Sequence, residues 1–204
     1  MTEKNEQLDH PIAGAARTAA WAGGVSGLAS LALVIGGETV QGPDEFMEGW
    51  LAALSGWLGF ASACLLVLAI AGTAARFGTA VGVGGRRGLV VMQLAAAVTA
   101  GAAATLPLVV TNLVDRAPEI VNDPPAAVPA TFIASGLALG VSGIVVAVAL
   151  RRAAVVARGA TTFLLVASVI SILPLPSRYF LVCFAVAVVL GTAGSRVRQP
   201  VAVG

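Results

Sequence analysis

The sequence predicts an all-α, polytopic membrane protein with six transmembrane helices in three hairpins, the last hairpin short and broken by proline. Three observations carry this. The 204-residue chain is 58% hydrophobic and only 11% charged, at a mean hydropathy of +0.94, whereas a soluble domain carries about 25% charged residues to cover its surface. The apolar residues fall in runs near the roughly 20 residues that a membrane-spanning helix needs. Basic residues gather on alternate connections between those runs.

The polar start "MTEKNEQLDH", part of a tail over 1–14, carries Glu3, Glu6 and Asp9 against Lys4 alone. It lacks the basic start, short apolar core and small-residue cleavage site of a signal peptide. The first run, about Ala15 to Ile35, therefore reads as an uncleaved helix, followed by the acidic loop "GGETVQGPDEFMEG". The second run, about Trp50 to Ala71, ends at "ARFGTAVGVGGRRG", and the third, about Leu89 to Val110, at "TNLVDRAPEIVNDPP". Pro107 predicts a kink near the end of the third. The fourth run, about Val128 to Leu150, ends at "RRAAVVARG".

From Gly159 to Gly194 the chain would make one helix of about 54 Å, against a hydrocarbon core of about 30 Å. Pro174 and Pro176, in "SILPLPSRYFLV", lack amide donors and disfavour helical geometry in the residues before them. The stretch therefore reads as a turn between two short helices, about Ala160 to Leu173 and Tyr179 to Gly194. The transmembrane domain spans 15–194, and a short tail covers 195–204.

Charge tests this topology. Of the 12 Lys and Arg residues, ten fall on one side: Lys4, Arg17, Arg76, Arg86, Arg87, Arg151, Arg152, Arg158, Arg196 and Arg198. Only Arg116 and Arg178 fall on the other. Cytoplasmic segments attract the Lys/Arg excess, so both termini are expected in the cytoplasm, with the chain in the plasma (inner) membrane of a cell. Arg178 and Tyr179 are expected to anchor the outer interface, as is Trp50. Arg outnumbers Lys, and Ala, Gly and Val dominate, a composition that suggests a GC-rich bacterial genome.

Several functions are disfavoured. Deep in the six runs there is no Asp, Glu, Lys, Arg or His; Arg17, close to the start of the first, belongs to the cytoplasmic set. Proton pumps, ion-coupled transporters and intramembrane proteases place such groups at membrane depth. His10 is the sole histidine, so no metal, haem or other cofactor is expected. Cys64 and Cys183 are expected to stay unbonded: their helix starts place Cys64 about 21 Å from Trp50 but Cys183 about 6 Å from Tyr179. "GVGGRRG" departs from the dinucleotide fingerprint, with Arg87 at the third glycine, and follows no strand. It reads as a flexible loop whose arginines set topology and touch anionic lipid. Glu38, Asp44, Glu45, Glu48, Asp115, Glu119 and Asp123, less Arg116 and Arg178, give the outside a charge of −5. Their spacing matches no calcium loop, and they read as solvated loop charge.

The helix faces are more informative. Small residues allow helices to approach closely in lipid. One stripe runs through Ala16, Ala20, Gly23, Gly27 and Ser30; another through Gly136, Gly140 and Gly143. The first is expected to face outward toward a partner and the second to pack internally. Gln93, Ala96, Ala97, Ala100, Ala104 and Pro107 share a face of the third helix, which is expected to be central. Gln93, Thr99 and Thr105 could line a polar pocket, although an interhelical hydrogen bond is the expected use of Gln93.

The functional expectation is a non-catalytic membrane component acting through helix packing: a subunit, assembly factor or scaffold. Its partners are the lipid bilayer and other membrane subunits, with no nucleic acid. The first alternative is a small-solute permease or channel. The second is a membrane enzyme using loop residues such as Glu38, Asn112, Asp115 or Arg178. No catalytic residue is assigned.

Overall fold

Every apolar run becomes a helix in the computed structural model, which describes residues 3–42, 46, 49–110, 113, 125–173 and 178–192. The six helices found among them are α1 (Glu3–Gln41), α2 (Trp50–Phe77), α3 (Gly82–Thr105), α4 (Ala127–Ala153), α5 (Arg158–Ile170) and α6 (Phe180–Thr192). A π-helical turn, Leu106–Val110, prolongs α3. Pro107 cannot donate to the preceding turn, so the kink expected there takes the form of a widened turn. Four helices, α1 to α4, are long and apolar enough to cross a membrane, while α5 and α6 are shorter.

Helix boundaries shift from the expected ones: α1 runs on into the expected acidic loop as far as Gln41 and α2 past Ala71 to Phe77, and two helix starts move as well. The polar start is helical from Glu3 onward and runs into α1. The "GVGGRRG" stretch is the beginning of α3 rather than a flexible loop. Gly82 sits at φ +67° immediately after the α2–α3 turn, a left-handed conformation that costs glycine little. Arg86 Nε donates to Gly78 O at 3.3 Å, at the carboxyl end of α2. Pro174, Pro176 and the tail 195–204 lie outside the described residues.

The α1–α2 pair follows a heptad of small residues. Ala13, Ala16, Ala20, Gly23, Gly27 and Ser30 are buried on α1, facing Ala52, Ser55, Gly59, Ser62, Leu66, Ala69 and Thr73 on α2. The alternating spacing of three and four keeps one seam toward the partner, and small side chains let the backbones close on it. Ser30 Oγ donates to Ser55 O at 2.8 Å, Ser62 Oγ donates to Gly23 O at 2.6 Å, and a methyl added to Gly72 would overlap Ala16. The helices are thus antiparallel in a defined register.

Each later helix packs on its neighbour in sequence, and α6 closes the ring against α1 while also touching α2. Gly85 meets Ala149, and Gly88 meets Val145 and Val146, so α3 and α4 are antiparallel. Leu66, Ile70, Leu89, Met92, Leu139, Val146, Leu164 and Val182 fill the centre. The large apolar residues left outside, such as Leu28, Leu68, Leu94 and Leu137, face the surface that lipid would cover. Small residues at the α1–α2 seam, with large ones left outside as well as at the centre, is the packing expected where lipid removes the contrast that buries large side chains in water.

The helix at the centre is α6, not α3. Val182, Cys183, Ala185, Val186, Ala187, Val189 and Leu190 are all buried, because α6 touches α1, α2 and α5. Helix α3 buries Ala95, Ala96, Thr99 and Ala100 but exposes Val90, Val91, Leu94 and Val98. Ala96, Ala100 and Pro107 of the alanine-rich face are therefore internal, but Ala97 is exposed and Gln93 and Ala104 are half-buried, and the helix is peripheral. Replacing Ala100 by Phe is expected to lower stability by about 1–3 kcal/mol through overpacking, whereas Val98→Phe on the exposed face is expected to be neutral. Thermal unfolding of both variants in detergent checks this; equal midpoints would contradict the assignment of faces.

Candidate functional site

The α5–α6 hairpin is the least conventional part of the structure. Each of its helices has 13 residues, or about 20 Å, against the roughly 30 Å of a hydrocarbon core. Contacts fix its level. Tyr179 Oη donates to Gly59 O at 3.0 Å, and Gly59 lies nine residues, about 13 Å, down α2 from Trp50. On the far side Arg178 abuts Gly136, which lies nine residues into α4. The two helices therefore run from the arginine-rich end, and the described residues nearest the reversal, Leu173, Arg178 and Tyr179, lie well short of the level of Trp50.

This recess corrects two expectations. Tyr179 is 7% and Arg178 9% exposed, so neither is an outer-interface anchor. Trp50, by contrast, is 72% exposed at the start of α2. The depth argument for the cysteines also fails, since Cys183 lies level with Ser62, its Sγ 3.9 Å from Ser62 O. Both cysteines are nevertheless free thiols. The common cause is an offset of α6 along the bundle axis that hydropathy does not encode.

Two glycine walls hold the hairpin. On α4, Gly136 faces the Arg178 guanidinium, Gly140 faces Ser168 O and Ile172, and Gly143 faces the Ser168 hydroxyl. A methyl at any of the three would meet atoms closer than real side chains approach. On α1, Gly24 faces the Phe184 ring and Gly27 faces Phe180 and Ser62, while a methyl added to Gly23 would lie 3.1 Å from Cys183 Sγ. The stripe of Gly23, Gly27 and Ser30 is consequently internal and does not face outward; α2 and α6 cover it. The stripe of Gly136, Gly140 and Gly143 is internal as expected.

Polar contacts pin the reversal. Arg178 Nη1 donates to Leu173 O at 2.8 Å and Nη2 to Phe132 O at 2.5 Å, tying the turn to itself and to α4. Ser62 forms a three-helix node, donating to Gly23 O with Cys183 Sγ 4.0 Å away. Such buried bonds carry little net stability each, but a broken one leaves an unsatisfied group. Ring contacts of Trp21 and Phe180 with Phe184, at 5.5 and 6.2 Å between centroids, cover the outer side of α6.

The sequence-derived polar residues do not converge on this site. Thr99 Oγ1 donates to Ala95 O at 2.9 Å and Thr105 Oγ1 to Ala102 O at 2.6 Å, so each hydroxyl serves its own helix. Gln93 is half-buried. Glu38 is exposed on the last turns of α1, whereas Asn112, Asp115, Glu119 and Asp123, like Asp44, Glu45 and Glu48, lie outside the described residues. The α2 stripe from Ala52 to Thr73 and the Ser62 node are the residues that inspection of single faces missed; the three-and-four spacing of small residues would have revealed them.

No protein-family model matches the chain, and neither a curated protein nor a solved structure matches it.

The glycine walls make a direct prediction. Gly140→Leu forces a branched side chain against Ser168 O, a backbone atom, and is expected to sharply reduce the folded, monodisperse fraction in detergent. Gly101→Leu, at a helix position with open space around it, is expected to behave as wild type. Size-exclusion profiles of the two variants decide the matter, and an unaffected Gly140→Leu protein would remove the packing role of that wall.

Proposed function

We propose that this chain is an integral membrane protein with four full crossings and one re-entrant hairpin, and that it serves as a non-catalytic component of a membrane assembly: a subunit, assembly factor or scaffold. The re-entrant reading replaces six full crossings because α5 and α6 fall short of the bilayer thickness. Either reading leaves the two ends of the chain on the same side. The arginine-rich end, with Arg17, Arg76, Arg86, Arg87, Arg151, Arg152 and Arg158, is assigned to the cytoplasmic face by the positive-inside rule. Arg17 sits slightly inside that end, exposed beside Gly191, and can reach the headgroup level through its flexible stem.

The observation that carries the functional reading is the filled interior. Leu66, Ile70, Met92 and Leu139 occupy the centre, and every described buried polar side-chain atom already has a partner. Thr73, Ser142 and Ser168, for example, each donate to a carbonyl of their own helix. A solute pathway needs polar groups free to replace hydration, whereas a rigid packing element needs none. The glycine stripes now serve internal seams, so a partner would dock on the large-residue outer faces.

A permease is the second reading, and the recessed turn favours it. Helices broken near mid-membrane are typical of binding sites in transporters, and a buried arginine at membrane depth is a functional candidate by its energetic cost. Purification in mild detergent and reconstitution into liposomes separate the two. The scaffold reading expects a partner held at fixed stoichiometry and no passage of small neutral solutes; a lone monodisperse protein that passes them overturns it.

Topology is tested independently with single cysteines in a background lacking Cys64 and Cys183. Trp50→Cys should react with a membrane-impermeant maleimide in intact cells. Arg87→Cys should react only after lysis, and the reverse pattern would invert the assignment.

A further inference from the structure

At the arginine-rich end, an open groove of about 660 Å³ lies between the start of α3 and the end of α4. Val81, Val83, Ile144, Val145, Val148 and Ala149 wall it, and Arg152 stands at its rim. Its register is set by Gly85 against Ala149 and Gly88 against Val145, which brings Arg152 level with Gly82, where α3 begins. Gly84 also lines the groove, and a side chain added there would meet nothing. The first turn of α3 directs free backbone N–H groups toward this end.

The charged residue that lines the groove is Arg152. Arg87 and Arg151 lie on the same ends of α3 and α4, Arg158 begins α5, which packs on α4, and Arg86 turns away toward Gly78 O. Helix α1, which packs on α2 and α6, contributes no residue to the groove lining. A second copy of the chain, oriented alike in the membrane, would bring its own arginines alongside these and be repelled. An apolar slot opening at a cationic rim is complementary to an amphiphile with an anionic head.

We propose that this groove binds an anionic phospholipid, with one acyl chain lying along the Val145–Val148 wall and the phosphate paired with Arg152. The inference rests on the membrane reading above, with this end at headgroup level. A zwitterionic lipid places its own cation among the arginines and is bound less well. Arg152 supplies the planar, bidentate donor that phosphate accepts, and the groove confers preference over the general field of the surrounding arginines.

The test is lipid retention. The full chain is reconstituted in phosphatidylcholine vesicles containing a minor fraction of phosphatidylglycerol, extracted into mild detergent, and examined by native mass spectrometry. Wild type should keep one phosphatidylglycerol per chain. Arg152→Gln should lower that retention about fivefold, the weight of one arginine near an anionic surface, while its thermal midpoint in phosphatidylcholine alone stays unchanged. Gly84→Leu, which projects a side chain into the slot from a position with open space at Cβ, should lower retention equally although every charge remains. Equal retention by wild type and both variants overturns the proposal, as does an Arg87→Gln loss matching that of Arg152→Gln, which would mean a diffuse field and no site. A dimer mass abolished by Gly84→Leu would assign the groove to a second copy and overturn the lipid. Failure of wild type to enter vesicles of either composition would overturn the membrane reading itself.

Discussion

Close backbone approach at glycine is the constraint on which this architecture depends. The short hairpin is apolar and central, and in the proposed membrane setting lipid would offer no hydrophobic contrast to drive it into place. Contact area must do that work, through dispersion and weak Cα–H···O contacts that fall off steeply with distance. Gly136, Gly140 and Gly143 let α5 settle on α4, and Gly23, Gly24 and Gly27 let α6 settle on α1. A glycine costs about 1 kcal/mol relative to alanine within a helix, so two such walls are sustained only by what they admit. Without them the ring would open at its centre.

The recessed turn follows from the same geometry. Helices of 13 residues span about 20 Å, so Leu173 and Arg178, which flank the reversal, sit inside the bundle against α4. Reversal exposes carbonyls that helices would otherwise satisfy, and an unsatisfied one in hydrocarbon costs several kcal/mol. Arg178 donates to Leu173 O and Phe132 O, and Tyr179 donates to Gly59 O. Polar side chains that a hydropathy reading assigns to the interface are thus structural donors at depth. Gly136 has no side chain because the guanidinium lies there.

The all-helical class, the six helices and the four that are long and apolar enough to cross a membrane were legible from composition and run length. The internal face of α3, with Ala96, Ala100 and Pro107, was readable from helical spacing, as was the α4 stripe. What stayed hidden was relative displacement along the bundle axis and the identity of each seam's occupant. Nothing in the run around Tyr179 says that it pairs with Gly59 rather than with the level of Trp50. The Gly27 stripe could have met a partner as readily as α2 and α6, since a small-residue face specifies closeness and not what comes close. Helix α3 looked central because alanine covers one face, but Leu94 and Val98 on the other decide its place at the edge.

The depth of the hairpin turn is the most direct test of this account. A spin label at Leu173, 51% exposed beside the turn, can be compared with one at Trp50, 72% exposed at the start of α2. Both are placed in the full-length protein in bilayers, and depth is measured by power saturation with oxygen and a polar relaxant. The account predicts that the Leu173 label is accessible to oxygen and shielded from the polar reagent, about 10 Å or more deeper than the Trp50 label. Equal interfacial depth for the two labels would mean that the hairpin crosses fully, and would contradict the recessed, glycine-walled arrangement.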